Sequence, residues 1–445
     1  MDTSIKLERE PIFVNPEFIE NCTPEAGVTI ASADATLHAV VEPGTATFKL
    51  ARSSFRNTVA LSQLFGRSPD EEIKDNACLK ILPGQFQCMM QRRTVSTRAT
   101  VGLMDETARI PAEGVAFEAP VVQVARLATR TAGTKQKIVA KGKDWTWTVW
   151  ETPGRFEADL TVCAPSEEML KPWQVAERTL VSRIDPDALR VGLTYAAAIS
   201  HKTGSGPHTV VEVCDGVARG TSMTSVALVS GKALEGINVR ISAKDVDHAC
   251  RVLREMDARK THLWSATGYQ YIVSGNLELA IRTPVDMPAN TARFVAMALN
   301  DPVTMCYSPL LLSSMMARPL SGRTINLDLQ LRGFDESKLA LTAQNARGRF
   351  AYVAPHVASS PDDDNVSKTD VVEMGEPPKP DFDAMLSRDD EPLAVVPYND
   401  FLKMLLATPD PDAITLDIKK RSVLMESSAR GLIFRAYVPT VASLG

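Results

Sequence analysis

Arginine pairs recur at helical spacing in segments whose apolar residues also follow a helical period. The pairs are Arg52 with Arg56, Arg126 with Arg130, and Arg251 with Arg254. Residues three or four apart lie on one side of a helix, so each pair presents two guanidinium groups together. Such groups bind the phosphates of a polyanion without reading its sequence. The spacing therefore predicts sequence-independent binding of a polyanion by helix surfaces.

Further basic residues continue this pattern on the same helical segments, on the other helical segments, or directly after them. They are Arg190, Lys202, Lys244, Arg259, Lys260, Arg318, Arg323 and Lys403. Acidic residues such as Asp187, Asp247 and Asp400 lie in the same segments, so a solvated surface without a ligand is the alternative for any one helix. Recurrence favours polyanion binding, because every one of the helical segments carries at least one base.

The net charge of the chain conceals a basic body. The overall charge is −5, but residues 360–392 hold eleven acidic and three basic side chains, and residues 1–43 hold eight acidic and two basic, which leaves +9 for the rest. A basic body attracts anionic partners over long distances, although it does not identify them.

Motifs for catalysis or metal binding are scarce. Residues 201–208, HKTGSGPH, contain the Lys-Thr-Gly of penicillin-binding enzymes, but residues 1–200 lack the Ser-x-x-Lys that accompanies it. The histidines form no His-x-x-x-His pair and the cysteines no Cys-x-x-Cys pair, whereas structural zinc needs ligands clustered at such spacings. The sequence predicts a protein without catalysis, metal or cofactor, whose cysteines are reduced and mostly buried.

The helical segments belong to a repeated unit, which we call a module. Each module consists of a short strand, an amphipathic helix that begins at a polar or proline residue, and about three strands. The six modules begin near Phe48, Val115, Arg183, Val239, Thr304 and Leu393. Their intervals are 67, 68, 56, 65 and 89 residues, and the last falls to 56 without residues 360–392. Those residues are rich in proline and charge, which predicts a disordered insertion.

Local signals within the modules agree with this organisation. Asp185-Pro186 marks a helix start, and Leu189, Leu193 and Ala197 then fall on one helix face. In the second module, Trp145 and Trp147 alternate with threonine, which is typical of a strand with one buried face.

The order and spacing of the modules resemble those of the sliding clamps of DNA replication, most closely the bacterial DNA polymerase III β-clamp. RIDPDALRVGLTYAAAIS, residues 183–200, is similar to the segment that opens the middle domain of that family. TVVEVCDGVARGTSMTSVALV, residues 209–229, is similar to its strand–Asp-Gly–strand continuation, and SVLMESSARGLIFRAYVPTV, residues 422–441, to its closing hairpin.

The resemblance implies an α+β DNA clamp fold. Three similar domains of two modules each would form a protomer, with helices lining a ring and sheets outside. The implied division is an N-terminal extension at 1–44 and domains at 45–165, 178–290 and 298–445, with the acidic insertion 360–392 in the third domain.

The resemblance also implies a function. A non-enzymatic processivity factor would encircle double-stranded DNA as a homo-oligomer, with a dimeric ring expected, and the basic residues given above would face the DNA. It would tether a DNA polymerase, and bind a clamp loader, through short peptide motifs. The family's chain end has methionines around a proline in the peptide pocket, whereas this chain has the partner-binding candidates Tyr437, Val438, Pro439 and Val441.

The repeats also fit a second class of protein. A β-rich structural or regulatory protein of a virus or mobile element, built from duplicated domains, would carry the same repeats. Either protein is expected in the cytoplasm without membrane attachment, because the N-terminus is charged and no apolar run approaches the ~20 residues that cross a bilayer.

Overall fold

The structure is a computed structural model. It describes residues 27–31, 36–40, 47–51, 76–102, 115–121, 124, 135–141, 144–150, 155–161, 165–175, 177–291, 295, 300–307, 328–335, 338–345, 348–355, 391–409 and 414–440.

The strands predicted for all six modules are present. Two strands precede them, β1 (Gly27–Ala31) and β2 (Thr36–Val40). The first module contains β3 (Thr47–Ala51), β4 (Asn76–Leu82), β5 (Gln85–Arg92) and β6 (Val95–Gly102). The second contains β7 (Val115–Pro120), β8 (Lys135–Lys141), β9 (Asp144–Trp150) and β10 (Arg155–Thr161). The third contains β11 (Thr179–Arg183), β12 (Val210–Cys214), β13 (Val217–Thr221) and β14 (Val226–Ser230).

The remaining modules repeat this order. The fourth contains β15 (Val239–Ser242), β16 (Thr261–Ala266), β17 (Tyr269–Ser274) and β18 (Leu277–Arg282). The fifth contains β19 (Val303–Tyr307), β20 (Asp328–Asp335), β21 (Lys338–Asn345) and β22 (Gly348–Pro355). The sixth contains β23 (Ala394–Pro397), β24 (Thr415–Lys419), β25 (Ser422–Ala429) and β26 (Leu432–Pro439).

Three of the predicted module helices lie within the described residues and are confirmed. A short helix, α1 (Glu167–Leu170), precedes the third module. The module helices are α2 (Pro186–Ala197), α3 (Val246–Leu253) and α4 (Tyr398–Ala407). The predicted helices of the first, second and fifth modules, and all but the end of the insertion 360–392, fall largely or wholly outside the described residues.

The chain divides into two compact units that differ from the predicted domains. One unit comprises residues 1–186 and 248–283, and the other comprises residues 187–247 and 284–445, so that the division passes through α3. The first unit contains an eight-stranded antiparallel sheet in the order β11-β16-β17-β18-β6-β5-β4-β7. It also contains the four-stranded sheet β1-β8-β9-β10 and the pair β2-β3.

The second unit also contains an eight-stranded sheet, in the order β15-β12-β13-β14-β26-β25-β24-β19, and a four-stranded sheet, β22-β21-β20-β23. In each eight-stranded sheet, one strand pair joins modules of different predicted domains. These pairs are β18 with β6 and β14 with β26. The two compact units and the domains expected from the repeats therefore divide the chain differently, and the three-domain division stays a prediction.

Tight turns form where the sequence provides residues that tolerate a left-handed backbone. Asp215 and Gly216 have φ values of 52° and 78° and connect β12 to β13, as their Asp-Gly sequence predicts for a two-residue hairpin. Arg430 and Gly431 connect β25 to β26 in the same way, with φ values of 54° and 75°.

Helix α2 packs tightly on its own module and on β26. Leu189, Leu193 and Ala197 are buried, as the helical period predicts, and the Tyr195 ring meets Phe434 edge-on at 5.2 Å between ring centroids. Gly220 of β13 lets the α2 backbone lie close against the strand, because a Cβ atom at this position would stand 1.9 Å from the carbonyl oxygen of Ala196.

The first unit has a polar cluster where the segment after α1 meets the β6–β18 pair. The Glu278 carboxylate accepts from Arg98 at 2.6 Å and from Arg178 at 2.7 Å. Arg98 also lies 4.7 Å from the Trp173 ring centroid, and Arg178 lies 3.8 Å from that of Tyr271. Stacking and ion pairing together fix this segment on the sheet.

We expect Glu278→Gln to lower the free energy of unfolding by about 2 kcal/mol, because it removes the shared anion from two largely buried guanidinium groups. Glu426→Gln is the matched control. Glu426 also pairs with an arginine on the neighbouring strand, Arg435, but both side chains are more than a third exposed, so the loss should stay below about 1 kcal/mol. Urea denaturation measures both, and equal losses would contradict the importance of the shared anion.

Candidate nucleic-acid interface

Helix α3 separates an apolar face from a basic one. Ala249, Val252 and Leu253 are buried, whereas Arg251 and Arg254 are exposed. The three-residue spacing of the two arginines thus places both on the solvent side, as predicted.

The loop after α3 adds two more exposed bases in a defined backbone conformation. The carboxylate of Asp257 accepts from the backbone N–H of Arg259 at 2.8 Å, and the Asp257 carbonyl accepts from the Thr261 hydroxyl at 2.6 Å. Arg259 and Lys260 are both exposed. With Arg251 and Arg254 they form a basic set within the first unit, which we call the α3 basic set.

In the second unit, two of the predicted bases, Arg190 and Lys202, are paired with carboxylates. Arg190 of α2 donates to Asp187 at 2.5 Å, and Asp187 also accepts from Arg430 at 2.9 Å. Lys202 lies 3.0 Å from the Asp247 carboxylate, and both side chains are more than half exposed. Arg430 was not singled out from the sequence, because its proximity to α2 arises from contact with a residue 243 positions away.

Two more predicted bases, Lys403 and Lys244, lie on or next to other helices. Lys403 is exposed on α4, whereas Lys244 is half-buried in the 3₁₀ turn Ala243–Asp245 that leads into α3. Six further candidates lie outside the described residues. They are Arg52, Arg56, Arg126, Arg130, Arg318 and Arg323.

The predicted partner-binding residues occupy the end of β26. Tyr437, Val438 and Pro439 are buried there, and Val441 lies outside the described residues. Tyr437 is only 1% exposed and packs with Val226 and Leu424. The side chains of residues 437–439 are therefore part of the buried core in this structure. Their role in partner binding stays a prediction.

Other functional features are limited in the described residues. Cys78, Cys88 and Cys250 are buried and not disulfide-bonded, as predicted, and Cys214 is partly buried and not disulfide-bonded. Burial raises the pKa of the Cys88 thiol to about 12. Across the described ranges, no three His, Cys, Asp or Glu side chains come together to hold a metal ion. Nor does any helix in the described part have the length and apolarity to cross a membrane.

Strand–helix–strand modules joined into eight-stranded antiparallel sheets are a fold that this chain shares with DNA sliding clamps of known structure. The DNA polymerase sliding clamp of Pseudomonas aeruginosa matches with a TM-score of 0.62 and 12% identity, covering 93% of this chain and 99% of that one. The DNA polymerase III β subunit of Thermotoga maritima matches with a TM-score of 0.59 and 10% identity, covering 93% and 98%. That of Caulobacter crescentus matches with a TM-score of 0.59 and 11% identity, covering 93% and 99%.

These similarities establish the fold and confirm the resemblance read from the sequence. At identities near 10% they do not establish the activity. No protein-family model and no curated protein sequence matches the chain.

Proposed function

We propose that this protein is a sliding clamp without catalytic activity. A homo-oligomeric ring, formed by two chains, encircles double-stranded DNA and tethers a polymerase or another DNA-acting partner. The pairing of last strands between modules, seen for four of the six, is the observation that carries the proposal.

In both pairs, the last strand of an odd-numbered module pairs with the last strand of the third module after it along the chain. Last strand β6 of the first module pairs with β18 of the fourth, through residues 95–99 and 277–281. Last strand β14 of the third module pairs with β26 of the sixth, through residues 226–230 and 433–437. Both pairs are antiparallel and extend a sheet to eight strands.

The same rule leaves two last strands for contact with another chain. Among the described strands, β10 of the second module pairs only with β9, and β22 of the fifth pairs only with β21. Each chain has six modules, so counting three modules on from the fifth passes the end of the chain and reaches the second module of the next chain. Pairing of β22 with β10 of that chain continues the rule, removes two exposed sheet edges, and closes a ring by head-to-tail contact.

Contact with DNA then needs charge but no base recognition. The α3 basic set and the exposed Lys403 provide bases on or next to helices, and phosphates bind such groups in any sequence. The chain remains on DNA because the ring encloses it, so individual contacts can be weak enough to permit sliding. Tethered partners would bind by short peptide motifs, with β26 residues 437–439 as candidates for the site.

Retention on DNA of different topology tests the proposal. The purified protein is incubated at low ionic strength with linear duplex DNA, onto whose ends a closed ring can thread. The duplex is then circularised by ligation, and the mixture is passed over a sizing column at high salt. We expect protein to stay with the circle and to leave on the order of ten times faster after a restriction enzyme linearises it, because salt suppresses direct phosphate contacts but not enclosure.

Mass and shape complete this test. Light scattering should give twice the chain mass of 48.4 kDa, and particle images should show a central hole. Equal release from circular and linear DNA, with filaments or shells in the images, would instead favour a structural protein built from duplicated domains.

A further inference from the structure

The side chain of Asp187 is shared between two arginines in the second unit. Its Oδ1 accepts from Arg190, one turn along α2, and its Oδ2 accepts from Arg430 in the β25–β26 turn. The contacts measure 2.5 Å and 2.9 Å. One negative charge therefore faces two positive charges.

This arrangement persists at neutral pH. The hydrogen bond from Arg190 holds the pKa of Asp187 below its usual range, so the carboxylate is ionised. Arg430 has 70% of its side chain exposed and Asp187 has 51%, whereas Arg190 has 24%. Solvent therefore reaches all three groups, and an incoming phosphate can do the same.

Stability does not account for the shared carboxylate. Ion pairs this exposed contribute between zero and about 1 kcal/mol, because water and salt screen the charges. A carboxylate in the first turn of a helix adds a similarly small amount. An asparagine at position 187 would preserve the size of the side chain and one acceptor oxygen.

The carboxylate does compete with phosphate. Carboxylate and phosphate oxygens bind a guanidinium group through the same charge-assisted hydrogen bonds. A phosphate that approaches Arg190 or Arg430 must displace Asp187 or share the arginine with it. The net gain from each such contact is then smaller than for an arginine without a carboxylate partner.

We propose that Asp187 weakens the binding of duplex DNA by occupying the guanidinium groups of Arg190 and Arg430, and that Arg430 is a further phosphate-binding residue. The proposal rests on the function proposed above. A ring that holds DNA by enclosure gains from weak contacts, because tight phosphate binding would oppose sliding. Asp187 thus sets the strength of contact at one helix.

Equilibrium binding to a short fluorescent duplex, measured by anisotropy over a series of salt concentrations, tests this role. We expect Asp187→Asn to lower Kd by about tenfold at low salt and to steepen the slope of log K against log salt by about one, the change for one more phosphate contact. In the same background, Arg430→Ala should reverse much of that gain.

Glu391→Gln is the control for net charge. It removes one negative charge at an exposed position outside the helices and should change Kd much less than Asp187→Asn. Melting curves of all variants should overlay, which separates altered binding from altered folding.

The possible failures are distinguishable. If the wild-type protein binds the duplex and Asp187→Asn binds it with the same Kd and slope, the competing role of Asp187 is wrong while the clamp proposal stands. Equal gains from Asp187→Asn and Glu391→Gln also overturn that role, because net charge would then explain both. If no variant binds the short duplex at any salt concentration, the competing role of Asp187 is wrong because there is no contact for it to weaken, and the clamp proposal is then decided by retention on circular DNA.

Discussion

Ala351→Pro in β22 is expected to convert the ring into single chains and to abolish retention on circular DNA. The β21–β22 hairpin closes with Asn345 opposite Gly348, so alternate residues from Gly348 exchange hydrogen bonds with β21. Ala351 lies between these positions and directs its N–H away from β21. Proline removes this donor and obstructs a strand from another chain, while edge positions of this kind tolerate it.

Ala354→Pro is the matched control three residues along the same strand. Ala354 lies opposite Leu339, at a position that exchanges hydrogen bonds with β21. Its replacement should destabilise the four-stranded sheet and lower the melting temperature of the protein. Ala351→Pro should leave the melting curve of the isolated chain nearly unchanged and reduce the mass in light scattering to 48.4 kDa.

The two outcomes separate assembly from folding. An intact dimer with Ala351→Pro would contradict ring closure through β22. A monomer that nevertheless remains on circular DNA at high salt would contradict enclosure as the means of retention.

Gly220→Ala is expected to have the largest effect on stability. The added Cβ atom would stand 1.9 Å from the carbonyl oxygen of Ala196 and 2.6 Å from Ser200 Oγ. The first contact is with helix backbone, which cannot rotate away as the end of a flexible side chain can. Helix α2 must move outward, and we expect a loss of about 3 kcal/mol in the free energy of unfolding from the strain and the lost packing.

Gly102→Ala provides the comparison for this substitution. Gly102 ends β6, and a Cβ atom there would meet nothing within 4 Å. The free energy of unfolding should change by less than about 1 kcal/mol, mainly through the unfolded chain. Urea denaturation of both variants measures the difference, and similar values would show that α2 adjusts to the added atom at little cost.

Local features were predictable because they depend on residues close together in the chain. The start of α2 at Pro186 follows from Asp185-Pro186, and its buried face follows from the spacing of Leu189 and Leu193. The hairpin at Asp215-Gly216 follows from the tolerance of both residues for a left-handed backbone. Even the exposure of Arg251 and Arg254 follows from helical periodicity.

The sequence by itself thus determined the strands of the modules, their order and the helices α2, α3 and α4, each of which carries a basic residue. Only the tertiary structure decided which modules join, because the pairing of β6 with β18 brings together strands about 180 residues apart and depends on matching edges rather than on local propensity. It also decided that Asp187 meets Arg430 and that β13 needs glycine at position 220. Those contacts arise where separate segments pack, and no periodicity along the chain records them.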